Sequence, residues 1–175
     1  MSIAQCDDCG LVSLSQTDHI ASGFYENSGM HGAETVPMDT WLKETEWDDR
    51  RRFEMFKAAL TNKRLLDFGC GAAGFLQLAR GMATSVTGIE LEVRVREYWA
   101  GKIDIVPNVE SAGEGYDLIT AFHVVEHLSD PRAMLSSLAS LLRPKGRMIV
   151  EVPSAEDALL TLYDCDAFQH FTYWS

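Results

Sequence analysis

Basic residues are what this sequence has least of. The 175-residue chain sets 15 Lys and Arg against 26 Asp and Glu, a formal net charge of −11. After Arg147 there is no Lys or Arg, whereas Glu151, Glu156, Asp157, Asp164 and Asp166 follow. Such a surface repels phosphates, which argues against a non-specific grip on nucleic acid or anionic lipid. No apolar run approaches the roughly 18 residues that a membrane span needs. The opening MSIAQCDDCG lacks the basic and apolar regions of a signal peptide. Four unevenly spaced cysteines do not suggest a disulfide framework, so a reducing cytoplasm is the expected compartment. Repeats and low-complexity segments are also missing.

What is present suits one globular domain with an appendage. Residues 1–47 carry turn and breaker residues with weak periodicity and read as an N-terminal extension or cap; residues 48–175 read as the main domain. The stretch DDRRRFEMFKAALTN, 48–62, puts Phe53, Phe56, Ala59 and Leu60 on one helical face. Strand-like runs then appear at 64–69, 85–91, 103–106, 116–124 and 147–152. Helical stretches alternate with them: GFLQLARG, residues 92–100, and SDPRAMLSSLASLLRPKG. In the last, Ser129 or Asp130 caps, Pro131 suits the first turn and Gly146 closes the helix. This alternation predicts an α/β fold, a doubly wound, mostly parallel sheet of five strands with Rossmann-like right-handed crossovers.

The segment RLLDFGCGAAGFLQLA, 64–79, contains Gly69-x-Gly71-x-x-Gly74, a literal match to the dinucleotide-binding fingerprint. Glu90 follows about 20 residues later, where that fingerprint places its ribose-binding acid. Asp67 is the discriminating residue. A carboxylate at the mouth of the loop would repel a pyrophosphate. It suits a ligand with positive charge and no phosphate, such as S-adenosylmethionine with its sulfonium and ammonium groups. The plainer alternative has Asp67 capping the following turn and Glu90 starting a helix.

The segments LLDFGCGAAGFL, VTGIEL, YDLITAFHVVEHLSDP and LLRPKGRMIVEVP together resemble the successive motifs of class I S-adenosylmethionine-dependent methyltransferases. The likeness is greatest to small-molecule methyltransferases with a Glu-His-Leu signature after the fourth strand, and it covers about residues 48–155. It implies that Asp67, Gly69 and Gly71, with Cys70 between the glycines, hold the methionine portion. Glu90 and Leu91 would hold the ribose side, and Asn108 and Val109 would border the adenine. Phe122 and His123 would flank the methyl-transfer centre. S-adenosylhomocysteine (SAH) would be the product. One departure is Ala73, where the family usually has glycine. The family sheet has seven strands. After a helix-like SAEDALLTLY, with Ser154 and Asp157 spaced as a capping box, the chain has no room for the last two. It therefore looks shortened, with an open fifth-strand edge covered by the aromatic tail or by a second subunit in a homodimer. His170 belongs either to a substrate site or to a partly exposed tail.

HVVEH, 123–127, also matches the inverted zincin pattern H-x-x-E-H. His123 follows a strand, so both histidines should not share one helical face, and no metal is expected there. His123 is the first candidate for general base or substrate orienter. Glu126 and His127 are either catalytic partners or anchors of the next helix. Cys6-x-x-Cys9 resembles one knuckle of a zinc segment that precedes the domain in some sugar C-methyltransferases, without a second pair. Residues 23–32 would supply a flap through Phe24 or Tyr25, or anchor the extension. The leading expectation is methyl transfer to a small-molecule acceptor. The alternatives are a shortened S-adenosylmethionine-binding domain without activity and an NAD-dependent oxidoreductase.

Overall fold

A computed structural model of the chain describes residues 3–8, 10, 12–14, 25–26 and 35–154. Strands β1 (Ile3–Gln5) and β2 (Val12–Leu14) form a small antiparallel hairpin. Cys9, Phe24, Cys165, His170 and the expected capping helix after Ser154 lie outside the described residues.

Pro37 precedes helix α1, Met38–Leu60, and Asp39 stands in its first turn, where the helix dipole favours an acid. The helix thus starts ten residues before the expected position 48. Its inward positions recur as Trp41, Thr45, Asp49, Arg52, Phe56 and Leu60. Half of these are polar, so the inner face does not read as an apolar stripe. Ala59, expected on that face, is exposed.

Five strands follow: β3 (Arg64–Phe68), β4 (Ser85–Ile89), β5 (Asp104–Val106), β6 (Tyr116–Phe122) and β7 (Leu142–Glu151). They lie in the order β5-β4-β3-β6-β7, and every pairing is parallel. Helices α2 (Gly74–Ala79), α3 (Val93–Trp99) and α4 (Pro131–Ser140) make the crossovers. This is the expected Rossmann-like, doubly wound α/β sheet of five strands. Successive residues serve opposite faces. Leu65, Leu118 and Phe122 pack with Trp41, Phe75 and Trp99, while Leu66 and Ile119 pack with Ala121 and Leu138. Strand β6 is buried at every position, as a central parallel strand must be.

The third crossover departs from the sequence reading. Helix α4 ends at Ser140, and residues 142–146 belong to β7 rather than to a helix closed by Gly146. Pro144 cannot continue a helix. The Leu141 carbonyl accepts from the N–H groups of Gly115 and Tyr116 at 2.8 and 3.0 Å, which draws the chain into the sheet. Tyr116 pairs with Leu142 and Leu118 with Arg147, so a bulge lies between them, where Lys145 has a φ of 70°. A Cβ on Gly146 would come within 2.9 Å of the Tyr116 carbonyl oxygen.

The strand order reverses between β3 and β6. In open parallel sheets the crevice outside the carboxyl ends at such a switch point is where ligands bind.

Candidate active site

That crevice is a cavity of about 270 Å³ spanning the carboxyl ends of β3, β4, β5 and β6. From β3 come Phe68, Gly69 and Gly71; from β4, Ile89, Glu90 and Leu91; from β5, Pro107, Asn108, Val109 and Glu110; and beyond β6, His123, Val124, His127 and Leu128. Tyr25, Trp41 and Met134 complete the wall.

The glycine loop is shaped by left-handed backbone. Gly69 has a φ of 68°, and a Cβ there would come within 2.6 Å of Val124 Cγ2. Its N–H donates to the Ile89 carbonyl at 2.9 Å. Gly71 has a φ of 51° and donates its N–H to Glu90 Oε2 at 2.9 Å. Ala73 adopts a φ of 64°, a left-handed conformation that glycine enters more readily than a residue with a side chain. Trp99 Nε1 donates to the Ala72 carbonyl at 2.9 Å and ties the loop to α3.

Glu90 ends β4 and enters the cavity wall. Its Oε1 accepts from the Glu92 N–H at 3.0 Å while Oε2 accepts from Gly71. Burial pushes its pKa up, against the hydrogen bonds from Glu92 and Gly71. Lone pairs remain for a further donor. Arg96 Nη1 donates to the carbonyls of Glu90 and Leu91 at 2.7 and 2.6 Å and fixes the turn. Asn108 Oδ1 accepts from Ser111 N–H and Oγ at 3.0 and 2.7 Å, which holds the Val109 turn against the cavity.

Gly69, Gly71, Glu90, Leu91, Asn108, Val109, His123 and His127 therefore meet at one cavity. Asp67, Cys70, Phe122 and Glu126 are not among its lining residues. Asp67 lies opposite Thr120 in the sheet register and accepts its hydroxyl at 2.7 Å. Burial raises the Asp67 pKa to about 7, the Thr120 bond opposes that, and the Asp49 charge adds to it. The Cys70 sulfur packs towards Gly88, where an added Cβ would come within 2.7 Å of it, and burial pushes its pKa up. The Phe122 ring meets Phe75 edge-on at 5.2 Å and stacks on Phe56 at 6.0 Å.

His123 leaves the strand with a φ of 53°, strained for a residue with a side chain. Its Nε2 is 3.1 Å from Glu151 Oε1 and its Nδ1 3.4 Å from Glu126 Oε1. The Glu126 hydrogen bond holds the His123 pKa above its ordinary 6.5, with burial opposing. Glu126 is buried, and its Oε2 has no hydrogen-bond partner among the described residues. His127 meets the Tyr25 ring edge-on at 5.8 Å, and Tyr25 lines the cavity. Residues 125–127 form a single 3-10 turn, so the helical arrangement of an inverted zincin is not formed.

Four residues around the site escaped sequence reasoning. Trp41 reaches the cavity from a helix turn read as part of the extension. Arg52 and Glu151 meet across almost the whole domain. Asp49 is the fourth: its Oδ2 accepts from Thr45 Oγ1 at 2.8 Å and lies against Gly74, where an added Cβ would overlap it. The carboxylate therefore packs against the first residue of α2. No Lys or Arg lines the cavity among the described residues, whereas Glu90 and Glu110 do.

A family profile described as a methyltransferase domain matches residues 38–175. The chain belongs to the class I S-adenosylmethionine-dependent methyltransferases. The domain is 24% identical over 156 residues to a ubiquinone biosynthesis O-methyltransferase of Aeromonas salmonicida, covering 80% of this chain and 60% of that protein. It is 34% identical over 112 residues to the protein of the same description from Marinobacter nauticus, covering 54% and 45%. The chain thus spans about half the length of these curated relatives. Among solved structures it resembles magnesium protoporphyrin IX methyltransferase from Synechocystis with bound SAH. The TM-score is 0.52 at 21% identity, covering 82% of this chain and 72% of that one. That likeness concerns the fold. No helix among the described residues is long and apolar enough to cross a membrane.

The methyltransferase cavity fits the cofactor of its class. Its walls are acidic rather than basic, Glu90 has acceptor capacity to spare, and the apolar side chains of Ile89, Leu91, Val109 and Leu128 suit a flat base.

Proposed function

We propose that this domain transfers the methyl group of S-adenosylmethionine to a hydroxyl of a small-molecule acceptor. The observation that carries the reading is the acidic cavity lining, Glu90 and Glu110, with the Asp49 carboxylate packed against the start of α2 behind it. In dinucleotide folds that helix end receives the pyrophosphate. Here a carboxylate already lies against that helix end, and no basic side chain stands among the cavity-lining residues described. A cationic, phosphate-free nucleoside matches this charge, and a dinucleotide does not.

Bound S-adenosylmethionine supplies a methyl carbon already activated by its sulfonium. Glu90 accepts the ribose hydroxyls, and Leu91, Asn108 and Val109 border the adenine. The bare backbone of Gly69 and Gly71 admits the methionine portion, with Asp67 as buried counter-charge behind it. Cys70 and Phe122 act from behind the wall, packing the loop and the end of β6. His123, at the cavity with Glu126 and Glu151 beside its ring nitrogens, is the group that takes the proton of the acceptor hydroxyl. Glu126, beside Nδ1, steadies the imidazolium that results, and His127 with Tyr25 shapes the acceptor's approach. The O-methyltransferase descriptions of the curated relatives favour an oxygen acceptor. The edge of β7, with Val150 and Val152 exposed, supports a homodimer, and a reducing cytoplasm remains the proposed compartment.

Calorimetry with SAH and with NAD tests the cofactor: SAH should bind and NAD should not. Selective NAD binding would sink the reading. Methyl transfer from labelled cofactor to a panel of small phenols and alcohols tests the activity.

A further inference from the structure

One wall of the cavity comes from outside the sheet. Trp41, near the start of α1, lines it and packs with Ala72, Phe75 and Trp99. Its six-membered ring faces the glycine loop: a Cβ added to Gly71 would rest 3.4 Å from Cζ2 and 4.0 Å from Cη2. These are ordinary contact distances, so the bare glycine leaves room for a ligand carbon against the indole. Arg94 of α3 lies over the same ring, 5.0 Å from its centroid. The guanidinium is itself held, pairing with Glu92 and donating Nη1 to the Val36 carbonyl just before α1. A second tie joins the two helices, Tyr98 Oη donating to Asp39 Oδ1 at 2.7 Å.

We propose that Trp41 is a binding residue for the amino-acid arm of the cofactor, seated by Arg94, and that it makes the site selective for a nucleoside carrying that arm. The inference rests on the cofactor reading above. In that reading Glu90, Leu91, Asn108 and Val109 serve the ribose and the base, which leaves Gly71 and Trp41 for the arm. Three observations carry it. The Gly71 N–H already donates to Glu90 Oε2, so the loop offers bare backbone beside an aromatic edge. An alkyl chain suits such a slot better than a phosphate, which would be left without donors. No Lys or Arg lines the cavity among the described residues, so affinity at this wall comes from apolar contact, for which an indole supplies large area. Finally, Arg94 and the ties between α1 and α3 fix the ring before a ligand arrives, which lowers the ordering cost of binding.

Two ligands give the test in the full chain. SAH carries the arm; 5′-methylthioadenosine has the same nucleoside and sulfur without it. Calorimetry measures both, by competition where binding is weak. In W41L, SAH affinity should fall about tenfold while 5′-methylthioadenosine changes by less than about twofold. W41F keeps an aromatic ring and should recover most of the loss. R94M should weaken SAH about threefold, and the W41L, R94M double variant should lose no more than W41L, because the arginine acts through the ring.

Unchanged SAH affinity in folded W41L overturns the proposal. So does an equal loss for both ligands, which general loosening or a contact with the nucleoside would give. Additive losses in the double variant would mean that Arg94 acts on the ligand by its own charge, which removes its seating role. Should W41L not fold, R94M decides by the same comparison of the two ligands. A parent chain that binds neither ligand sinks the cofactor reading itself. A parent that binds both, with W41L indistinguishable from it, sinks this inference alone.

Discussion

Asp49 occupies the space that any side chain at position 74 would need. A Cβ on Gly74 would overlap Asp49 Oδ2 and lie 2.9 Å from its Cγ. The third glycine of the fingerprint thus makes room for a carboxylate from α1. Gly74→Ala should push Asp49 off the α2 terminus and cost about 1–3 kcal/mol. A urea-unfolding midpoint equal to that of the parent would show that Asp49 moves aside freely.

Asp67 couples stability to pH. Its folded pKa is raised to about 7 from an ordinary 3.8, chiefly by burial. The folded chain therefore holds an extra proton between those values. The stabilising contribution is complete below about 4 and is lost as pH rises towards 7. Asp67→Asn, which keeps an acceptor for Thr120, should flatten this part of the profile and be the more stable chain at pH 8. Equal urea midpoints for the two chains at pH 8 would count against it. Asp67→Ala should weaken SAH more than about tenfold, a loss of roughly 1.4 kcal/mol read by calorimetry.

Glu90 uses both carboxylate oxygens to accept backbone N–H groups, from Gly71 and Glu92. An amide offers one acceptor oxygen and one donor nitrogen, so Glu90→Gln sets a donor against a donor in a buried turn. The expected cost is about 1–3 kcal/mol of stability. With Glu90 in the proposed ribose-binding role, SAH affinity should fall as well. Unchanged affinity in calorimetry would remove Glu90 from the cofactor site.

His123 sets the expected pH dependence of turnover. Its pKa lies above 6.5, held there by the Glu126 hydrogen bond and the nearby Glu151 charge against burial and Arg52. As a base it works deprotonated, so kcat should rise with pH through a midpoint above 6.5. Glu126→Gln should move that midpoint down, and His123→Gln should lower kcat by about 10²–10⁴-fold. A rate that is flat from pH 6 to 9 would mean that the acceptor arrives already ionised.

The order of strands and helices was legible because a buried parallel sheet writes itself as short apolar runs separated by periodic helices. The positions of the glycine loop, of Glu90 and of His123 were legible because each stands at the end of such a run. The start of α1 was not. Its buried face carries Thr45, Asp49 and Arg52, whose burial makes sense only beside Phe75, Glu151 and Phe122. The end of α4 was misread because Leu142 pairs with Tyr116, a contact no helical pattern can announce.

By itself, then, the sequence determined the α/β class, the nucleoside loop and the strand-end residues, because these rest on periodicity and on spacing along the chain. It also placed Asp67 beside the glycines and so pointed to a cationic ligand. Only the tertiary structure decided how that charge preference is built. Asp67 is a buried partner of Thr120 rather than a wall of the cavity, and Asp49 arrives from a distant helix to pack against Gly74. Glu151 reaches His123 across the sheet. Such contacts join residues far apart in the chain, and they exist only once parallel strands have brought their ends together.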